Sequence, residues 1–285
     1  LDNLMDSVYL RPFLESGPFS LFSGTGVTER PDTLCAKVSE GRIAILVDGS
    51  PYAILLPCLF SENFQSMDDY AERPYYAVFI RLIKYLAFFL TILLPGCYVA
   101  AVNFHPELIP DQLLFRIAEA EQGMAFPLMF QALLIHFIYE LMREAGLRLP
   151  VGHAVSIIGA LVIGDAAVTA GLISTPMVMV VALTTISSFV IPSLYEPVTL
   201  LRLLFILLGG TLGLYGVVLG LNLCSVTVLG VPATSPETPL SLYSLRDTLI
   251  RVGWRQLGQE QFIISRTAGA DQNGEPADQN GEGQP

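Results

Sequence analysis

The chain has 285 residues, of which 52% are hydrophobic and only 14% are charged, a composition far more apolar than that of an ordinary soluble domain. Its net charge of -11 argues against nucleic-acid binding, because nucleic acids attract basic proteins. No charged side chain occurs between Tyr85 and Phe104 or between Leu203 and Pro236. Uncharged segments of this length predict an all-α polytopic membrane domain.

Residues 1–72 have a different composition and read as the end of a soluble α/β domain. Asp32 can cap a helix that runs to Glu40, and Gly41 stops it. Because the chain opens on Leu1 rather than Met, we expect an amino-terminal part to be missing.

A hairpin is predicted next in this domain. Arg42 to Val47 forms one strand, Asp48-Gly-Ser50 the turn and Tyr52 to Leu56 the partner strand. Both strands are largely apolar, so we expect the pair to be buried against other material.

The first transmembrane helix is predicted at about Ile83 to Val102. Basic residues precede this span and acidic residues follow it. By the positive-inside rule, its amino-terminal side is cytoplasmic. An amphipathic interfacial helix is predicted from Asp111 to Gln122, closed by Gly123.

The apolar run from Met124 to Tyr139 is short for a span and continues directly into charged residues. We expect a helix at, or dipping into, the outer membrane face, and a full span is the alternative. Polar side chains expected at this outer face are those of His136, Glu140 and Arg143.

Three further spans are predicted at about Gly152–Ala170, Thr175–Ser193 and Thr199–Thr227, which makes four. The carboxyl-terminal segment carries Arg246, Arg251, Arg255 and Arg266 and should be cytoplasmic, like the amino-terminal side. Two cytoplasmic ends require an even number of crossings, which favours the interfacial placement of 124–139. The transmembrane domain therefore covers residues 73–230. A cytoplasmic carboxyl-terminal segment follows at 231–269, and the repeated composition of 270–285 predicts a disordered tail.

One predicted span contains a lone acid, Asp165, on a helix of small side chains. Intramembrane acids usually face a cavity, a partner or water. Asp165 therefore either lines a pore or relay, or lies near the membrane surface or pairs with an arginine of a neighbour. Val162 or Ile163 would form an apolar gate that closes by dewetting. The candidate pore-lining residues are Gly159, Val162, Ile163, Asp165, Ala166 and Thr169.

Catalytic, cofactor and metal sites are not predicted, and we expect no enzyme activity. The three histidines (His105, His136 and His153) are far apart and lack ligand spacing. The four scattered cysteines read as reduced packing residues. The glycine series from Gly209 to Gly220 is typical of close helix packing. Glu196 and Arg202 read as an interfacial ion pair.

Several stretches together resemble one family, the A subunits of GerA-type spore germination receptors. The resemblance runs from about residue 20 to 252. The matching stretches are TERPDTLCAKVSEGRIAILVDGSP (28–51), DDYAERPYYAVFIRLIKYLAF (68–88), FHPELIP (104–110), ELMREAGLRLP (140–150), AVSIIGALVIGDAAVTAGLIS (154–174) and RDTLIR (246–251).

The resemblance implies a membrane subunit of a nutrient receptor in the spore inner membrane. It implies partnership with a permease-like B subunit and a lipoprotein C subunit, and a homo-oligomeric ring in membrane lipid that forms a nutrient-gated ion channel. A permease-like carrier or a structural scaffold for the nutrient-binding subunit is the alternative. Family members commonly carry acids at the positions of Gln131 and His136, where this chain does not.

Overall fold

The computed structural model describes residues 6–14, 22–39, 41–58, 60–66, 69, 72–148, 162 and 164–229. Contacts divide the chain into an amino-terminal unit that ends at Phe79 and a helical unit, Ile80–Val228. Each unit is described by itself.

A three-stranded antiparallel sheet organises the amino-terminal unit. Its strands are β1 (Gly26–Thr28), β2 (Ile43–Leu46) and β3 (Ala53–Leu56), in the order β1-β3-β2. β2 and β3 pair as the predicted hairpin, and Gly49 in the turn has φ 81°. The expected burial holds for β3 alone. β2 is an edge strand, and its Ile43 and Leu46 side chains are 66% and 68% exposed.

Among the described residues, the α-helices α1 (Arg11–Leu14) and α2 (Pro31–Ser39) accompany the sheet. α2 is the predicted helix, but it begins two residues early because proline suits the first helical position. Asp32 therefore lies inside the first turn and is not the cap. Arg30 pairs with Asp32 at 2.8 Å and lowers the pKa of that carboxyl to about 2.

A buried ionic group joins α2 to the loop after β3. The Arg42 side chain is 5% exposed, donates from Nη1 to the Pro57 carbonyl at 3.0 Å and pairs with Glu62. Lys37 reaches the same Glu62 carboxylate at 3.4 Å. Beside it, burial first and the Glu62 charge second raise the pKa of the Cys58 thiol to about 12.

The described part of the helical unit includes six α-helices. They are α3 (Pro74–Phe104, which starts before the unit boundary), α4 (Asp111–Glu121), α5 (Leu128–Leu147), α6 (164–169), α7 (Thr175–Ser188) and α8 (Tyr195–Leu229). α4 matches the predicted interfacial helix, and Gly123 follows it with φ 90°. α7 ends five residues before the predicted end of its span. By length and composition, α3 and the helical stretch Pro192–Ser225 could each cross a membrane.

α8 reverses direction in the middle. Gly213 has φ 63° and ψ -149°, a backbone conformation essentially restricted to glycine. It separates a first arm (195–212) from a second arm (214–229). A methyl group at Gly220 would lie 2.9 Å from Phe205 Cε1 and 3.1 Å from Leu208 Cδ1. In a straight helix, twelve residues would separate Leu208 from Gly220 by about 18 Å. The span predicted at about Thr199–Thr227 therefore does not form a single crossing, because it consists of two arms that run in opposite directions.

Glycines set the crossing of α3 with the first arm of α8. A methyl group at Gly96 would lie 2.6 Å from the Phe205 carbonyl oxygen, and one at Gly209 would meet the Gly96 backbone. Further along both helices, Phe104 lies against Gly213. The two helices therefore run in the same direction, and their backbones touch as the glycine series predicts.

The core of the helical unit lies between α5 and α7. The cluster is apolar and draws residues from α3, α5, α6, α7, the α6–α7 turn and α8: Val99, Leu128, Ala132, Ile135, Ala167, Ile173, Met177, Val181 and Ile206. At one end of this core, the Ala125 N–H donates to the Gly171 carbonyl at 3.0 Å. The α6–α7 turn is thereby held against the start of α5.

Candidate functional site

Two groups of residues are candidates for function, the pore face predicted on α6 and the polar cluster predicted on α5. On the first, Val162 is 61% exposed, and Asp165, Ala166 and Thr169 are also exposed. Gly159 and Ile163 lie outside the described residues. In contrast, Ala167 on the opposite side of α6 is 6% exposed and belongs to the core. α6 thus packs by one side and leaves the predicted face uncovered within the protomer.

Asp165 makes no ion pair with any residue of the described part of the chain. Its backbone carbonyl accepts a hydrogen bond from Thr169 Oγ1 at 2.9 Å, the usual back-bonding of a helical threonine. The carboxylate itself is exposed. One alternative for Asp165 was a pair with an arginine of a neighbouring helix. Among the described residues of the protomer, no arginine forms such a pair.

The polar residues predicted on α5 meet the start of α8. His136, Glu140 and Arg143 follow one another at helical spacing and share a face. Arg143 Nη1 donates to Glu140 Oε1 at 3.2 Å, and the Tyr195 hydroxyl donates to Glu140 Oε2 at 2.7 Å. The Arg143 guanidinium carbon lies 3.0 Å from the centroid of the Tyr195 ring, a cation–π contact. Glu140, Arg143 and Tyr195 thus form a closed triad between the two helices.

His136 lies deeper than the triad and is 4% exposed. Its Nδ1 is 2.8 Å from the Ala132 carbonyl oxygen. Because a carbonyl can only accept, Nδ1 carries the proton and donates it. Nε2 is buried and has no hydrogen-bond partner in the part of the chain that the structure describes. His136 therefore does not face an open outer surface within the protomer, although its neighbours Glu140 and Arg143 are partly exposed. The triad lies at the start of α8, at the end of the unit where α3 begins. That end is predicted to be cytoplasmic, which conflicts with the predicted outer-face placement of the three residues.

Arg202 belongs to the same cluster. Its position there was not predicted from the sequence. It is 2% exposed and lies within electrostatic range of Tyr139, Glu140 and Arg143. The predicted ion pair with Glu196 is wrong, because Glu196 is exposed and no such pair occurs among the described residues. The spacing of Arg202 and Tyr195 along α8 could have indicated this position. Arg202 follows Tyr195 by seven residues and so shares its helical face.

Gln131, also on α5, has a structural role that is separate from this cluster. It is completely buried and donates from Nε2 to Glu121 Oε2 at 2.9 Å and to the Phe126 carbonyl at 2.8 Å. Its Oε1 accepts the Ser174 N–H at 2.8 Å, just before α7 begins. An amide is the side chain that can both donate and accept in this way. Gln131 therefore ties α4, α5 and α7 together.

One apolar helix of membrane-crossing length (α3), a second apolar stretch of such length that folds back at Gly213, and a polar cluster buried between helices are features suited to a helical membrane protein. The family model described as Bacillus/Clostridium GerA spore germination protein matches residues 1–261. The chain belongs to this family.

Curated relatives agree with the family match. The chain is 42% identical over 290 residues to spore germination protein KA of Bacillus subtilis (strain 168), which covers 97% of this chain and 53% of that protein. It is 36% identical over 273 residues to spore germination protein GerLA of Bacillus cereus, covering 88% and 55%. It is 37% identical over 278 residues to the uncharacterized membrane protein YfkQ of Bacillus subtilis (strain 168), covering 94% and 54%.

The chain spans about half the length of these curated relatives. No solved structure matches it.

Proposed function

We propose that the chain is part of a membrane subunit of a germinant receptor, and that copies of this subunit form an oligomeric, nutrient-gated ion channel. The subunit resides in the spore inner membrane and works with a permease-like B subunit and a lipoprotein C subunit. Membership of a spore germination family supports the germination role. The length and apolar composition of α3 and of the stretch Pro192–Ser225, which folds back at Gly213, support a location in a membrane.

The observation that carries the channel proposal is the uncovered face of α6. A helix that contributes Ala167 to the core presents Val162, Asp165 and Thr169 outside the protomer. In a bilayer, an ionised carboxylate facing lipid would be costly, so the face requires water or another subunit. A ring of subunits with α6 at its axis supplies water to Asp165 and an apolar constriction at Val162.

The reversal of α8 supports the proposed orientation of the chain. The first arm runs in the direction of α3, and the second arm returns from Gly213 toward Phe205. The helical unit therefore ends on the side at which α3 enters it. This supports the proposal that both chain ends are cytoplasmic.

Ion release from spores tests the channel proposal. Asp165→Asn is introduced into the full-length subunit together with its B and C partners, and cation release is followed after nutrient addition. We expect a changed rate of release at an unchanged half-maximal nutrient concentration. Glu119→Gln is the matched control, because Glu119 is an acid on α4 whose side chain is 71% exposed. Unchanged release in both Asp165→Asn and Val162→Ala would favour a structural scaffold.

A further inference from the structure

A buried arginine without a counterion lies in the first arm of α8. Arg202 is 2% exposed, and its Nε and Nη2 atoms have no hydrogen-bond partner among the described residues. A guanidinium stays charged at any physiological pH. A charge removed from water is costly unless it is paired and hydrogen-bonded. Something must therefore balance Arg202.

The acid nearest to this arginine is already engaged. Glu140 lies within electrostatic range of Arg202, but its two oxygens accept from Arg143 and Tyr195. The Glu140–Arg143 pair has no net charge. His136 offers no negative charge either, since it is neutral or, if protonated, adds a positive charge. The cluster of α5 and the first arm of α8 thus carries at least one unbalanced positive charge.

A second donor faces the same region. Tyr139 is 8% exposed and lies within electrostatic range of Arg202. Its hydroxyl lies near Ser188 but makes no hydrogen bond of good geometry. His136 is a poor third ligand, because its Nε2 presents a lone pair when Nδ1 donates to Ala132. Among the described residues, the buried donors of this region that lack a partner therefore include those of Arg202 and Tyr139.

A small cavity lies beside the cluster. It has a volume of about 10 Å³ and is lined by Thr91, Ser188, Tyr195 and Val198 among others, but not by Arg202 or Tyr139. A cavity of this size holds roughly one water-sized species. Because the space next to the cluster is this small, a monatomic ion fits the region better than an amino acid, a sugar or a phosphate ester.

We propose that Arg202 and Tyr139 bind one small monovalent inorganic anion, such as chloride, between α5 and the first arm of α8. The anion accepts hydrogen bonds from the Arg202 guanidinium and the Tyr139 hydroxyl and balances the buried charge. A water molecule would satisfy the hydrogen bonds but would leave the charge unbalanced. This site does not depend on the proposed channel, since the residues belong to one protomer.

Chloride-dependent stability tests the site. The full-length subunit is purified in detergent, and its thermal unfolding midpoint is measured while chloride replaces gluconate at constant ionic strength and pH. We expect the midpoint to rise and saturate with chloride, because a ligand that binds only the folded state stabilises it. Arg202→Met should abolish the rise. Arg116→Met should keep it, since the Arg116 side chain is 81% exposed.

Tyr139→Phe keeps the test decisive if Arg202→Met does not fold. It removes one hydrogen bond to the anion and should raise the half-saturating chloride concentration about tenfold. Line broadening of the chloride NMR signal by the subunit, weakened in the same variant, would support the site directly. A midpoint independent of chloride in the unsubstituted subunit would overturn the proposal and indicate water at Arg202. An unchanged chloride dependence in Arg202→Met or in Tyr139→Phe would also overturn it.

Discussion

A methyl group placed on Gly96 would lie 2.6 Å from the carbonyl oxygen of Phe205, so α3 and the first arm of α8 touch through their backbones. At such a crossing, any side chain forces the two helices apart. Close approach of this kind depends on small residues.

Gly96→Ala should therefore destabilise the helical unit. Overpacking of a tight contact costs about 1–3 kcal/mol, and the contacting atoms belong to a backbone that cannot rotate away. The thermal unfolding midpoint in detergent measures the effect. Gly164→Ala is the matched control, because its added methyl would meet only Val178 Cγ1 at 3.9 Å. Equal losses in the two variants would contradict the described crossing.

The reversal at Gly213 predicts a specific cross-link. Leu208 and Gly220 face each other across the two arms, with the Gly220 Cβ position 3.1 Å from Leu208 Cδ1. Cysteines at both positions should form a disulfide under mild oxidation. The Leu208/Leu223 cysteine pair should not, because the Leu223 side chain is 56% exposed. To detect the disulfide, the chain is cleaved between the two arms, and gel mobility shows whether the fragments remain joined. A single straight helix would give no cross-link in either pair.

Replacement of the buried amide on α5 should be costly. Gln131→Glu loses the hydrogen bonds donated to Glu121 and to the Phe126 carbonyl, and it places two carboxylates 2.9 Å apart. Each buried group left unpaired costs about 1–3 kcal/mol. The unfolding midpoint should fall at neutral pH and recover in part on acidification, since a protonated carboxyl again donates. Gln122→Glu, at an exposed position after α4, should change little. A midpoint of Gln131→Glu equal to that of the control would contradict the described clamp.

Two cysteines of the amino-terminal unit should differ strongly in reactivity. Burial raises the pKa of Cys58 to about 12, and Cys35 is exposed. Because the thiolate is the nucleophile, Cys58 should react with iodoacetamide far more slowly than Cys35 at pH 8. Its rate should increase as the pH is raised. Peptide mass spectrometry of a timed reaction measures both rates. Equal rates in the folded protein would contradict the partly buried position of Cys58.

The amino-terminal unit could be predicted largely from its sequence because local signals determine it. The turn at Asp48 to Ser50 and the stop at Gly41 specify the β2–β3 hairpin and the end of α2. The exposure of β2 could not be predicted, since an edge strand and a central strand can have the same apolar pattern.

The helical unit was less predictable because its decisive features are long-range. An apolar run from 199 to 227 is consistent with one straight helix, and only the packing of Gly220 against Phe205 distinguishes a reversal. The meeting of Glu140 with Tyr195, 55 residues apart, likewise depends on the orientation of α5 against α8. Glycine spacing indicated close packing but not the partner helix.

The candidate site was predicted in part. The sequence directed attention to Glu140 and Arg143, which do form one cluster, but it paired Arg202 with the wrong residue. Charge patterns alone do not distinguish an interfacial arginine from one enclosed by neighbouring helices. The pore face on α6 stays a prediction, because a protomer alone does not contain the axis of a ring.

Block of a single introduced cysteine tests the channel most directly. Val162→Cys is placed in the full-length subunit, assembled with its partners in proteoliposomes, and nutrient-evoked current is measured before and after a charged methanethiosulfonate reagent. We expect the reagent to abolish the current. Met179→Cys on α7, at a position that is 77% exposed but off the predicted face, should conduct as before. Current that survives modification of Val162→Cys, at the level of Met179→Cys, would contradict the placement of α6 at the ion path.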